Sequence, residues 1–147
     1  MKPLKIITLL LAPFFLFGCT TTEKEEQIDS VILPTERSYS EVGDFMLTLN
    51  TMFDVESDSY YTYFYSTTCS HCQELKDFII ETALKRKDIY FVKSSAQDKF
   101  TTDRNLVINA ENPGDIYILG YPTMLKIEGK KVTKNLVGSE EIIRELK

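Results

Sequence analysis

The chain has 147 residues, with 17 basic and 22 acidic side chains, one histidine, three cysteines, no tryptophan and a formal net charge of −5. That length suits one domain with a core of its own plus a tether. The acidic balance, with no basic patch, argues against a polyanionic partner, so no nucleic acid is expected.

The chain opens MKPLKIITLLLAPFFLFGC. Two lysines, an uncharged run from Ile6 to Phe17, then Gly18 and Cys19 have the layout of a secretory signal. The run is too short to span a bilayer comfortably, which takes about 20 residues. LFGC resembles the lipobox of bacterial lipoproteins, where a leucine three positions before the cysteine and a small residue just before it direct lipid transfer to the thiol and cleavage ahead of it. The resemblance implies a signal peptide over residues 1–18 and Cys19 as the lipidated, palmitate-bearing start of the mature chain, on the extracytoplasmic face of a cell membrane. Two acyl chains anchor a protein stably, each buried CH₂ contributing about 0.8 kcal/mol. Cleavage would take Lys2 and Lys5 with it, leaving 15 basic against 22 acidic side chains, a net charge of −7. Attachment would then come from the lipid rather than from anionic headgroups. TTTEKEEQIDSVILPTERS, residues 20–38, is polar and charged and reads with Cys19 as a flexible linker over 19–38, ahead of a domain over 39–147.

Within the domain, SEVGDFMLTLNTMF spaces Val42, Phe45, Met46, Leu49 and Phe53 three and four apart, which predicts a helix with one buried face. YYTYFYS, residues 60–66, is dense in strand formers and reads as a core strand. The segment that follows predicts a helix with Cys72, Leu75, Ile79 and Ala83 on one stripe, widened by Phe78, and with Lys85, Arg86 and Lys87 where cations complement the C-terminal dipole. DIYFVKS predicts a second strand. Residues 95–115 are polar and read as loop with at most a short helix. TMLKIE and KVTKNLVG, separated by GK, predict a hairpin. SEEIIRELK predicts a closing amphipathic helix capped by its serine.

The chemistry concentrates in TTCSHCQEL, residues 67–75, where two cysteines stand three apart at a helix start with His71 between them. A thiol attacks only as thiolate, and an unperturbed cysteine at about 8.5 is mostly protonated at neutral pH. Unpaired backbone N–H groups in a first helical turn favour an anion, which suits Cys69, with Thr68 as the expected cap. Cys72 falls on the buried stripe. Cys69 is thus the candidate attacking thiolate and Cys72 the candidate resolving thiol. Other chemistries weigh less. A structural disulfide closing four residues gives little entropic stabilisation in the chain-entropy model. Zinc would need four ligands, and the mature chain adds only His71, which sits between the two cysteines, so no metal is expected. Covalent c-type haem would need histidine where Gln73 stands.

The order of elements, the dithiol directly after the first core strand, and GYPTMLKIEGK about 50 residues later resemble the thioredoxin fold over roughly Tyr39 to Lys147; the closing VGSEEIIREL matches that family's final helix. The resemblance implies an α/β fold with a central mixed β-sheet flanked by helices, and dithiol-disulfide exchange without a cofactor. It also implies a cis Pro122 facing the dithiol, with the backbone of Tyr121 pairing with an extended substrate chain. CSHC is closer to the CPHC of periplasmic disulfide oxidants than to the CGPC of thioredoxin. A donor at His71 would stabilise the Cys69 thiolate and make the disulfide more oxidising. The chain departs from thioredoxin at Thr68, where that family has tryptophan, and at Ser70, in place of the motif's proline. Tyr63 stands where thioredoxin buries an aspartate, and a phenol near 10 is a poor base at neutral pH. The expected activity is extracytoplasmic thiol-disulfide exchange, oxidising or isomerising exported proteins, with exported protein or peptide thiols as partners and a membrane redox partner to reset the site. A reductase of exported cysteines and a non-catalytic binding module accessory to peptide export are the alternatives.

Overall fold

The computed structural model describes residues 36–147. The expected signal peptide, Cys19 and most of the expected linker lie outside the described residues. Of that linker, Glu36 pairs with Lys76, and the Arg37 N–H donates to the Asp77 carboxylate at 3.0 Å.

A five-stranded sheet is built from β1 (Met46–Leu47), β2 (Ser59–Tyr65), β3 (Ile89–Lys93), β4 (Thr123–Glu128) and β5 (Lys131–Val137) in the spatial order β1-β3-β2-β4-β5. β1 and β2 both pair parallel with β3, while β4 runs antiparallel to β2 and β5 to β4. Helices α1 (Ser70–Arg86) and α2 (Ser139–Leu146) complete it. Strand order and directions are those of the thioredoxin-like α/β fold.

β2 lies in the middle of the sheet and is buried on both faces, so it reads as an aromatic run rather than an alternation. Tyr61, Tyr63 and Tyr65 point into the core under α1 and α2, with Cys72, Ile79 and Ile142. Tyr60 and Phe64 point the other way, into a second core closed by irregular chain carrying Met52, Val107, Ile116 and Ile118. The stripe Cys72, Leu75, Ile79 and Ala83 is buried as the spacing predicts, joined by Ile80, while Phe78 is half-buried. Lys87 ends α1 in the left-handed region at φ 66°, its N–H bonded to the Ala83 carbonyl. The hairpin turn places Gly129 and Lys130 at φ 56° and 66°, the paired positive values that match the twist of two antiparallel strands.

The single helix predicted from Ser40 to Phe53 is instead two 3-10 turns, Tyr39–Phe45 and Leu49–Thr51, separated by β1. Val42 belongs to the core under α1, whereas Leu49, Met52 and Phe53 belong to the core on the opposite face. One helical stripe cannot serve both faces of a sheet, so the chain crosses its edge, pairing Met46 and Leu47 with Phe91 and Val92 on the way. Each turn has its own capping box, Ser38 with Glu41 and Thr48 with Thr51.

The serine cap predicted for the last helix is also corrected. Gly138, at φ 81°, holds the cap position and Ser139 is the first helical residue, its hydroxyl buried without a partner. Glu141 takes over the local work: it accepts the Val137 N–H at 2.9 Å and is held by the Arg104 guanidinium at 2.7 and 2.9 Å. Both contacts hold its carboxyl below the usual range.

Candidate active site

The site begins where β2 leaves the sheet. The Cys69 N–H donates to the Ser66 carbonyl at 3.3 Å, which folds residues 66–69 into a turn. The Gln73 amide donates to the Thr67 carbonyl at 2.9 Å and ties that turn to α1. Thr68, expected to cap the helix, is exposed and bonds sideways to the Ser66 hydroxyl at 3.0 Å. The cap is Cys69 itself, in extended conformation at φ −86° and ψ 120°, with its sulfur accepting the Cys72 N–H at 3.3 Å. Its carbonyl takes the first helical bond, from the Gln73 N–H at 3.1 Å. The preference of helix N-termini for an acceptor is thus met by the reactive sulfur.

Both thiols are free, Cys69 partly exposed and Cys72 completely buried. Burial, then the adjoining Cys69 thiol, push the Cys72 thiol up to about 12. The two sulfurs therefore occupy unlike surroundings, one at the rim with a backbone donor and one in the core.

From 52 residues away the Tyr121 carbonyl reaches the same sulfur: the Cys69 thiol donates to it at 3.4 Å. The Tyr121–Pro122 bond is cis, and Pro122 is buried. Tyr121 is anchored by its hydroxyl, which donates to the Asp98 carboxylate, and by the edge of the Phe100 ring at 5.7 Å. Burial and that carboxylate both raise the Tyr121 phenol above its ordinary value. Asp98 is fixed in turn by the N–H and hydroxyl of Ser95.

Ser70 is the first residue of α1 and is exposed. His71 is also exposed, and its Nδ1 lies 3.4 Å from the Glu74 carboxylate. The donor that reaches Cys69 is the Cys72 N–H rather than the imidazole. Cys69, Cys72, Tyr121 and Pro122 are thus brought together, with Thr68, Ser70 and His71 around the rim. Asp98 and Phe100 had no signal in the sequence, because they lie in a polar stretch whose path only the fold fixes. Among the described residues no three or more His, Cys, Asp or Glu side chains are grouped to hold a metal ion, and no helix is long and apolar enough to cross a membrane.

No family model matches the chain, and no curated protein does. Among solved structures it is similar to thioredoxin f2 of Chlamydomonas reinhardtii, at 15% identity over 69% of this chain and 91% of that one with a TM-score of 0.45. It is also similar to mitochondrial thioredoxin 3 of Saccharomyces cerevisiae, at 16% identity over 72% and 93% with a TM-score of 0.47. A third is thioredoxin f of spinach chloroplast, at 14% identity over 69% and 81% with a TM-score of 0.46. By the order and directions of its own strands, the chain has the thioredoxin-like fold, with two free thiols at the β2–α1 junction facing a cis-proline loop.

Proposed function

We propose that the protein is a thiol-disulfide oxidoreductase acting on exported proteins or peptides from the extracytoplasmic face of a membrane, to which lipid on Cys19 ties it. The observation that carries this reading is the inequality of the two sulfurs: Cys69 at the rim between a backbone N–H and the Tyr121 carbonyl, Cys72 buried behind it. A structural disulfide needs no such division.

In the oxidising direction a substrate thiolate attacks Cys69 Sγ of the Cys69–Cys72 disulfide. The S–S bond breaks and its electron pair leaves on Cys72, which takes up a proton. A second substrate thiolate then attacks the substrate sulfur of the mixed disulfide, forming the substrate disulfide and releasing Cys69 as thiolate. The substrate loses two electrons and the dithiol gains them, to be passed to a membrane redox partner. The Tyr121 carbonyl, bonded to Cys69 in the free protein, is the acceptor that a substrate backbone N–H would take over in the mixed disulfide. Support for the location is the LFGC sequence and the charged stretch after it.

Turnover of reduced insulin chains or a dithiol peptide, with the Cys72→Ser variant trapping substrates as mixed disulfides through Cys69, tests the reading. No turnover and no trapped species would leave the fold serving as a binding module. Turnover only in the reducing direction would assign the reductase alternative.

A further inference from the structure

A closed circuit of contacts leaves the root of the dithiol turn and returns to it at Cys69. β2 ends at Tyr65, whose carbonyl accepts the Ser94 N–H at 2.7 Å, so the chain leaving β3 is fastened where the dithiol turn begins. Ser95 and Asp98 form the next turn. The Asp98 N–H donates to the Ser95 carbonyl at 3.3 Å, and the Asp98 carboxylate accepts the Ser95 N–H at 3.1 Å and the Ser95 hydroxyl at 2.9 Å. That carboxylate also accepts the Tyr121 hydroxyl, while the Cys69 thiol donates to the Tyr121 carbonyl at 3.4 Å. Tyr121 is therefore held at two points, its backbone at the reactive sulfur and its phenol at a turn fastened to β2. Phenylalanine would keep the edge contact with Phe100 at 5.7 Å, so what the hydroxyl adds is the bond to Asp98. Hydrogen bonds to ionised acceptors are the strong kind. Burial, then that bond, raise the phenol above its ordinary value, and it stays the donor. The bond from Cys69, by contrast, exists only in the thiol form. As thiolate or in a disulfide the sulfur has no proton to donate, and the side-chain anchor at Asp98 remains.

We infer that Asp98 is a positioning residue for the exchange reaction: through the Tyr121 hydroxyl it holds the Tyr121 carbonyl where the backbone N–H of an extended substrate meets it. The inference rests on the thiol-disulfide reading in taking a peptide as the substrate. In the step, Cys69 S⁻ attacks the peptide sulfur of a disulfide, a new S–S bond forms, and the electron pair of the old one leaves on the displaced thiolate. No proton passes through Asp98 or Tyr121. Their part is orientation, in the reacting forms that lack the thiol donor. A carbonyl free to swing would meet the substrate N–H less often. The loss would fall on peptides and spare disulfides that have no backbone to align.

The test uses Asp98→Ala, Asp98→Asn and Tyr121→Phe in the full chain, each with Cys19→Ser so that the two thiols of the dithiol remain. Two probes report through the same leaving group: dithiobis-nitrobenzoate, which has no peptide backbone, and an extended cysteine peptide carrying thionitrobenzoate on its sulfur. Attack by Cys69 on either one expels thionitrobenzoate, the better leaving thiol. Asp98→Ala should slow release from the peptide about tenfold, the worth of one hydrogen bond to a charged group, and release from the small probe by less than about twofold. Asp98→Asn keeps an acceptor for the phenol and should recover most of the peptide rate. Tyr121→Phe should reproduce the loss, and adding Asp98→Ala to it should cost the peptide nothing more, as expected of two residues that act through one bond. An unchanged peptide rate in Asp98→Ala overturns the inference. So does an equal slowing of both probes, which would make Asp98 a residue of the fold alone. A further loss in the double variant also overturns it, because Asp98 would then act by a route other than Tyr121. The probes are synthetic, so failure to turn over insulin would defeat the proposed function without touching these rates.

Discussion

Alkylation of the reduced protein should separate Cys69 from Cys72 by a margin that the burial of Cys72 sets. With its thiol pushed up to about 12, Cys72 carries roughly one thiolate in 10⁴ to 10⁵ at pH 7.5. An unperturbed cysteine near 8.5 carries about one in ten, so ionisation alone slows Cys72 by about 10³-fold or more against such a thiol. Complete burial adds a barrier to the reagent. Timed quenching of an iodoacetamide reaction, with fragmentation spectra locating the label, should find Cys69 modified first. In Cys69→Ser protein, which keeps the burial of Cys72 but lacks the neighbouring thiol, labelling of Cys72 should still be climbing with pH above 8.5. The linked stability has a definite sign. Because the folded value lies above the unfolded one, the fold binds more protons between about 8.5 and 12. The contribution is therefore fully present below about 8.5 and is lost as pH rises toward 12. The reduced form should weaken across that window, and the disulfide form, lacking the thiol, should not weaken through this group. Equal labelling of both cysteines, or a plateau for Cys72 near pH 8.5, would refute the reasoning.

Labelled palmitate should enter the mature protein through Cys19; label persisting in Cys19→Ser, with the protein still on the membrane, would remove the lipid anchor from the proposal. Equilibration with glutathione should place the dithiol potential at about −150 to −220 mV, between the thioredoxin and oxidant extremes. Replacement of His71 by alanine should shift that potential by less than about 15 mV, because the imidazole is exposed beside Glu74 and the donor that reaches Cys69 is the Cys72 N–H. A shift of about 60 mV or more would show that the imidazole acts on the sulfur directly.

Local rules predicted those elements whose residues answer to one environment. β2, α1, β3 and the β4–β5 hairpin stand where aromatic density, the Cys72–Ala83 stripe and the GK turn place them. The rules failed between Ser40 and Phe53, where Val42 and Leu49 fit one helical spacing yet serve opposite faces of the sheet. They also misplaced two caps, at Thr68 and Ser139. A cap depends on what the approaching chain brings to the first turn, which is Cys69 Sγ in one helix and, in the other, Gly138 with no side chain to offer.

The order of residues alone sets the dithiol, its position after a core strand, and the unlike fates of its cysteines, because a 3.6-residue period fixes which one turns inward. It also determined the acidic surface and the lipobox-like start. What surrounds the sulfurs is set by long-range packing instead. The Tyr121 carbonyl reaches Cys69 across 52 residues, and Asp98 and Phe100 hold Tyr121 from a loop without periodicity. Contacts of that separation arise from the pairing of β2 with β4 and the packing of α1 over β2, and no local spacing records them.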